Sequence, residues 1–121
     1  MKTTIRVLGG ALLCGLLSQH VQAQTVPHNA ELARGEHVAR LICATCHVVA
    51  KDQEFPPMLN QPVPSFLDIA NRPGVTAESL RRFITSTHWD SDKLPMTMPN
   101  PMLMPEQTRA VARYILSLRH H

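Results

Sequence analysis

Aromatic residues are scarce in this sequence of 121 residues, which contains three Phe, one Tyr and one Trp. A domain of this size buries only a modest apolar area, so each large side chain matters for its stability. The scarcity argues against a core built on aromatic packing and indicates that a further apolar group, such as a large cofactor, completes the interior. The aromatic residues are Phe55, Phe66, Phe83, Trp89 and Tyr114.

The sequence also lacks an apolar run near its start that is long enough to span a membrane. The run at residues 7–17 is about half of the roughly 20 residues that a spanning helix requires. It follows Lys2 and Arg6 and is followed by polar residues and then by the small residue Ala23. This pattern is typical of a secretory signal, so we predict a cleaved signal peptide at residues 1–23 and no membrane span after processing. A retained N-terminal anchor is the alternative.

Little net charge remains in the predicted mature domain, residues 24–121. The full sequence has 12 basic and 9 acidic side chains, and loss of Lys2 and Arg6 leaves 10 against 9, which lowers the formal charge from +3 to +1. No basic stripe with interleaved aromatic residues is left, so nucleic acid is not an expected partner.

Cysteine is rare as well, because Cys14 lies in the predicted signal peptide and only Cys43 and Cys46 remain. A disulfide between these two would close almost no loop, so no disulfide framework is expected. The pair belongs to the sequence C-A-T-C-H at residues 43–47, which is the C-x-x-C-H signature of covalent haem attachment. Residues three and four apart share a helix face, so both thiols can reach the vinyl groups along one haem edge while His47 ligates the iron.

Two other uses of this cysteine pair fit the residues less well. A thioredoxin-like redox pair requires a βαβ setting, and no strand is recognisable in the sequence. A structural zinc site usually needs two pairs of ligands, and a second Cys or His pair at metal-binding spacing is missing. Export before assembly, which haem attachment requires, is supplied by the predicted signal peptide. We therefore predict one covalent haem c as the cofactor.

Helical periodicity and capping residues indicate an all-α fold of about three to four helices with long loops. The first helix is expected at residues 30–46, with Asn29 as its N-cap. Prolines then exclude regular helix or central strand over residues 51–64. A short helical turn is expected at residues 64–70, and the pair Pro73-Gly74 that follows breaks it.

Two further helices are expected in the second half of the chain. Thr76 is suited to the N-cap of a helix that runs to about Thr87, and Pro105 is suited to the first position of the last helix. A second proline-rich loop separates them at residues 90–105, and long irregular connections in a compact domain are usually functional. The residues expected to face inward are Leu80, Phe83, Ile84, Val111, Tyr114, Ile115 and Leu118.

With the C-x-x-C-H motif and this helix order, residues 30–119 resemble a class I c-type cytochrome of the small bacterial periplasmic monohaem kind. The resemblance implies a cytochrome c-like fold wrapped around one covalently bound haem. It also implies that Gly35 and Ala39 let the first helix cross closely against the last helix at Tyr114-Ile115. A Gly inside a helix costs about 1 kcal/mol relative to Ala, and a close approach of two backbones is a physical reason for it.

The resemblance further implies a haem environment around residues 64–66. The sequence Pro64-Ser65-Phe66 is similar to a family segment in which a Pro carbonyl accepts the free imidazole N–H and an apolar residue two positions later touches the haem. We therefore expect Pro64 to bind His47 and Phe66 to contact the haem, with Pro62 as the alternative acceptor. Such an acceptor is needed because a ligating His is usually fixed by a hydrogen bond to its other ring nitrogen.

A second axial iron ligand is expected in the loop at residues 90–105, which contains four methionines. His/Met ligation raises the reduction potential and suits electron transfer. Met98 is the predicted ligand, since Met-Pro sixteen residues before Tyr114 is similar to the ligand segment of the family. The following proline also favours an extended chain at Met98. Met96 is the main rival, and His88 is a further alternative.

The predicted function is electron transfer without catalysis, by a monomeric carrier or by a subunit of a larger redox complex in the periplasm. One alternative is a haem-based gas sensor or haem enzyme, with a labile Met98 and with His88 on the distal side. Another is a copper-binding module that uses the thioethers of Met96, Met98, Met102 and Met104. Otherwise Met102 and Met104 are expected to fill gaps in the core. The small net charge predicts brief docking of redox partners on an apolar patch at the haem edge.

Overall fold

The computed structural model describes residues 27–59, 63–86 and 98–119. Within these ranges the chain forms four α-helices and no strand, which confirms the predicted all-α fold. None of these helices is long and apolar enough to cross a membrane. The helices are α1 at His28–Val38, α2 at Phe66–Asn71, α3 at Ala77–Thr85 and α4 at Pro105–Ser117, and a π-helical turn at Ala39–Cys43 continues α1.

Helix α1 begins on a proline carbonyl, so the prediction of Asn29 as N-cap is wrong. Asn29 lies inside α1, whereas Pro27 occupies the N-cap with a φ of −54° and no side-chain hydrogen bond caps the helix. The carbonyl of Pro27 accepts from the backbone N–H of Ala30 at 2.9 Å and of Glu31 at 3.1 Å. The ring of Pro27 restricts its φ. The start of α1 is therefore fixed by this proline and by its carbonyl, without a capping side chain.

The C-terminal end of α1 differs from the continuous helix predicted at residues 30–46. The N–H of Ala44 donates to the carbonyl of Ala39 at 3.0 Å, a separation of five residues that is the π-helical pattern. Residues 44–46 then form a turn. π-Helical turns inside helices are frequent at functional sites, and this one widens the backbone next to the two cysteines.

Helices α1 and α4 cross at close range, as the family resemblance implied. A Cβ atom on Gly35 would overlap the carbonyl oxygen of Ala110 and lie 2.8 Å from the Cβ of Tyr114, so glycine is needed at the crossing. Two arginines of α4 also pair with the carboxylate of Glu31 on α1, each at 3.4 Å. The crossing fixes the end of α1, and with it the segment that follows.

Helices α2 and α3 both start on reciprocal capping bonds. The Ser65 hydroxyl accepts from the Asp68 N–H at 3.0 Å, and the Asp68 carboxylate accepts from the Ser65 N–H at 3.2 Å. Thr76 and Ser79 make the same exchange, which confirms Thr76 as the N-cap of α3. Helix α3 ends at Thr85, slightly earlier than predicted.

The core lies where α4 packs against the other three helices, and it leaves one predicted member outside. Phe83 is 49% exposed, so its inward placement is wrong. Successive helical residues are about 100° apart, and the face of α3 that packs on α4 is set by Leu80 and Ile84. Leu118 is partly buried against the core. The buried apolar residues are Val38, Ala39, Val49, Phe66, Ala70, Leu80, Ile84, Ala110, Val111, Ala112, Tyr114 and Ile115.

Candidate functional site

The C-x-x-C-H segment begins at the end of the π-helical turn that continues α1. Cys43 is the last residue of that turn, and its carbonyl accepts from the N–H of Cys46 at 3.1 Å and of His47 at 2.9 Å. These two bonds hold the second cysteine and the histidine in a tight turn. Both thiols are free and partly buried. The segment therefore presents two thiols and an imidazole from one short, hydrogen-bonded stretch of chain.

The protonation of Cys43 argues against a thioredoxin-like redox pair. Burial, and to a smaller extent the neighbouring Cys46, raises the pKa of the Cys43 thiol to about 11. Cysteines that attack disulfides have a lowered pKa instead, because the thiolate is the nucleophile. The βαβ setting of such pairs is also missing from the described helices and loops.

A structural zinc site is not supported either. Across residues 27–59, 63–86 and 98–119, no group of three or more His, Cys, Asp or Glu side chains is placed to hold a metal ion. Zinc in structural sites is bound by four such ligands.

His47 is buried and held at one ring nitrogen. Its Nδ1 lies 2.8 Å from the carbonyl oxygen of Pro64, and a carbonyl can only accept, so Nδ1 carries the proton and donates. The neutral ring then has its lone pair on Nε2, which is the atom that can bind a metal. The structure thus brings together His47 and Pro64, the acceptor that the sequence favoured. The alternative acceptor, Pro62, lies outside the described residues.

Phe66 lies against His47 on one side and against Tyr114 on the other. The ring centres of His47 and Phe66 are 5.5 Å apart, and those of Phe66 and Tyr114 are 6.4 Å apart. Sequence reasoning placed Tyr114 only at the helix crossing, whereas it also supports the histidine through Phe66. The helical periodicity of α4 predicted that Tyr114 faces inward. Which residues it contacts there depends on the tertiary fold, which periodicity does not predict.

Met98 is partly buried and packs against the core, whereas the two later methionines do not. Met102 is 84% exposed and Met104 is 58% exposed, so the prediction that they fill core gaps is wrong. Met102 has a left-handed backbone with a φ of 54°, and Met104 is the N-cap of α4, outside the buried face of that helix. Met96 lies outside the described residues, as does the other alternative ligand, His88.

Sequence reasoning missed Asn100, two residues after Met98. Its amide Nδ2 donates to the carbonyl of Thr85 at 3.2 Å, and its Oδ1 accepts from the N–H of Met102 at 2.9 Å. The Asn-Pro dipeptide that starts at this residue was the available signal, because Asn before Pro favours a turn.

The donor set of this region fits haem c. Two free thiols stand three residues apart, a buried imidazole has Nε2 left for iron, and the Met98 thioether is partly buried. Large apolar side chains such as Phe55 and Met58 remain exposed on a small core, as expected where a large apolar group completes the packing. The residues could therefore hold a haem by two thioethers and two axial bonds.

Comparison with known proteins gives the same assignment. The family model described as cytochrome c matches residues 32–119. The chain is 34% identical over 90 residues to cytochrome c-552 of Bradyrhizobium diazoefficiens, and the matched region covers 74% of this chain and 77% of that relative. No solved structure matches the chain. The chain therefore belongs to the cytochrome c family, whose members bind haem c covalently and transfer electrons.

Proposed function

We propose that residues 24–121 form a periplasmic electron-transfer protein that carries one electron on a single His/Met-ligated haem c. It acts as a free carrier or as the electron-transfer subunit of a larger redox complex. The observation that supports this most directly is the buried imidazole of His47, which follows two free thiols and is fixed at Nδ1 by Pro64.

Each residue of the segment has a separate task in this proposal. The sulfurs of Cys43 and Cys46 anchor the haem by thioether bonds, and Nε2 of His47 is one axial ligand. The hydrogen bond from Nδ1 to Pro64 fixes the tautomer and the orientation of the ring, which also makes the ligand more basic. Phe66 keeps water from this side by packing on the imidazole.

Met98 is proposed as the second axial ligand. It packs at the core, whereas Met102 and Met104 are directed to solvent, so the two later thioethers are poorly placed to reach a buried iron. When bound, the haem supplies an iron that gains and loses one electron at a potential raised by the thioether. With both axial positions filled by the protein, no coordination site is left open for a substrate, so we propose a carrier and not an enzyme.

Substitution of Met98 tests this ligand set. The reduced wild-type protein should be low-spin and bind carbon monoxide poorly, and the ferric protein should show the weak red-edge absorption band of iron–sulfur bonding. Met98→Ala should abolish the band, admit carbon monoxide and lower the potential. Met102→Ala and Met104→Ala are matched controls that should keep the band.

Three other results would count against parts of this proposal. Loss of the band in Met96→Ala, with Met98→Ala unchanged, would move the ligand by two residues and leave electron transfer in place. A high-spin wild-type protein that binds carbon monoxide readily would favour the gas sensor or haem enzyme. Cuprous ion bound by the methionines of the haem-loaded protein would favour the copper module.

Export and processing are tested by the mass of the mature protein. After expression with the haem-attachment machinery, the mass should equal the chain from Gln24 plus one haem, and the haem should resist extraction with acid and acetone. Free thiols at Cys43 and Cys46 would contradict covalent attachment. A mass that includes residues 1–23 would contradict cleavage of a signal peptide but would leave covalent haem attachment standing.

The redox partners are expected to dock briefly. The formal charge of +1 on residues 24–121 becomes about −1 when two haem propionates are added, so long-range electrostatic steering is weak. A small apolar contact at the haem edge fits partners that bind and leave quickly. Rates of electron exchange should therefore depend little on ionic strength.

A further inference from the structure

The side chain of Asn100 connects two parts of the chain that are far apart in sequence. Its Nδ2 donates to the carbonyl of Thr85 at 3.2 Å, and its Oδ1 accepts from the N–H of Met102 at 2.9 Å. Only Pro99 separates Asn100 from Met98, and its ring fixes its own φ. A constraint on Asn100 is therefore passed on to the backbone of Met98.

The bond to Met102 holds a backbone conformation that methionine rarely adopts. Met102 has a φ of 54° and is the one residue other than glycine with a positive φ among those that the structure describes. Its side chain is 84% exposed, so packing does not impose this conformation. The side-chain oxygen Oδ1 of Asn100 accepts from the backbone N–H two residues on, a pattern in which Asn side chains stabilise turns. Asn100 thus holds the turn after Met98.

The bond to Thr85 joins that turn to a fixed element. Thr85 is the last residue of α3, where backbone carbonyls have no partner within the helix. Leu80 and Ile84 bury the same helix in the core, so its end does not move freely. The side-chain amide of Asn100 supplies a donor to the Thr85 carbonyl and thereby connects residues 98–102 to the end of α3.

We infer that Asn100 is a positioning residue for the Met98 ligand, acting through the turn at Met102 and the tether to Thr85. The inference rests on the proposed ligation of iron by Met98. Asn100 holds residues 98–102 in place, so the Met98 thioether would stay on the iron when other ligands compete for the same position. Loss of either hydrogen bond should raise the fraction of molecules in which Met98 has left the iron.

Competition by exogenous imidazole measures that fraction in the ferric haem-loaded protein. Asn100→Ala removes both hydrogen bonds and should raise the apparent affinity for imidazole about tenfold, while it weakens the red-edge band. Asn100→Ser keeps a side-chain oxygen that can accept from the N–H of Met102 but is too short to donate to Thr85, so it should show a smaller increase. It also guards against a failure of the alanine variant to fold.

Two further variants separate the turn from the tether. Glycine adopts positive φ at no steric cost, so Met102→Gly added to Asn100→Ala should restore the turn but not the bond to Thr85, and the affinity should recover only in part. Ser117→Ala is the control, because it also removes a side-chain hydrogen bond to a backbone carbonyl, from Ser117 Oγ to the Tyr114 carbonyl at 2.6 Å. It should leave imidazole binding unchanged.

An unchanged band and imidazole affinity in Asn100→Ala, with a wild-type protein that shows the band, would overturn the inference and leave Met98 ligation standing. Full recovery in Asn100→Ala/Met102→Gly would overturn the tether to Thr85, and an equal increase in Ser117→Ala would overturn the specific role of Asn100. A wild-type protein without the band would contradict Met98 ligation itself, and the inference would fall with it.

Discussion

The hydroxyl of Tyr114 on α4 donates a hydrogen bond of 3.0 Å to the carbonyl oxygen of Val49, 65 residues earlier in the chain. Val49 is 1% exposed and lies two residues after His47. Burial raises the pKa of Tyr114, so the phenol keeps its proton and continues to donate. The bond joins the last helix to the segment that carries the histidine.

Tyr114→Phe removes this hydrogen bond while it keeps the ring that packs on Phe66. The buried carbonyl of Val49 is then left without its donor, which should lower the free energy of unfolding by about 1–3 kcal/mol. Denaturant titration of the ferric haem-loaded protein measures the loss. Ser117→Ala is a suitable control, because it removes a hydroxyl of α4 that bonds only one turn back, to the Tyr114 carbonyl. Equal stability of Tyr114→Phe and wild type would show that the bond contributes nothing net.

Gly35→Ala tests the crossing of α1 and α4. By helix propensity alone the change would stabilise α1 by about 1 kcal/mol. The new Cβ would overlap the Ala110 carbonyl oxygen, so the helices must separate and the free energy of unfolding should fall, by about 1–3 kcal/mol. The sign of the change in a denaturant titration therefore decides between propensity and contact. Arg34→Ala, at the neighbouring exposed position, should change stability by less than about 0.5 kcal/mol.

Features encoded within a few residues were predictable from the sequence. The C-x-x-C-H segment, Thr76 as N-cap and Pro105 as the first residue of α4 each depend on local chemistry, and the last two are found as expected. Pro64 was chosen by resemblance, since the loop has several prolines and spacing alone does not select one. Its carbonyl is the one that meets His47 in the structure.

Features that depend on the path of the chain were not predictable in the same way. Phe83 has inward periodicity with Leu80, but α4 covers only one side of α3, so it stays exposed. Met102 has an apolar side chain that would suit a core, yet it lies in a turn with a positive φ and its side chain is exposed. The bonds from Tyr114 to Val49 and from Asn100 to Thr85 reach residues far away in sequence, and no local pattern identifies such partners.

The ion pair between Arg40 and Asp52 should make stability depend on pH at the acidic end. The hydrogen bond from Arg40 lowers the pKa of the Asp52 carboxyl below its usual value of 3.8. For a lowered pKa, the stabilising contribution is present in full above the usual value and is lost as the pH falls through the lowered one. The pair ties the end of α1 to the loop after His47, but it is exposed, so its effect should be small.

Asp52→Asn measures this contribution. The denaturant midpoint of the variant should lie slightly below that of wild type at pH 7, and the two should converge as the pH falls below 3.8. Glu54→Gln, which removes an exposed neighbouring charge but leaves the ion pair intact, serves as the control. A difference between Asp52→Asn and wild type that stays constant down to the most acidic pH would contradict the assigned cause.

The haem should be part of the hydrophobic core, so the chain without it should lose its fixed tertiary structure. Phe66 and Tyr114 are the only aromatic side chains buried in the core of the described residues, whereas Phe55 and Met58 lie largely exposed. Such a core falls short of what a domain of about 100 residues needs to offset the conformational entropy of folding.

Protein made without haem attachment, or Cys46→Ser combined with His47→Ala, should therefore show little near-ultraviolet dichroism and a broad thermal transition. His47→Ala alone keeps both thioether anchors and should retain more cooperativity, which separates loss of ligation from loss of the haem. If the haem-free chain were as helical as the haem-loaded protein and melted as sharply, the packing around α4 would suffice alone and the cofactor would have no structural role.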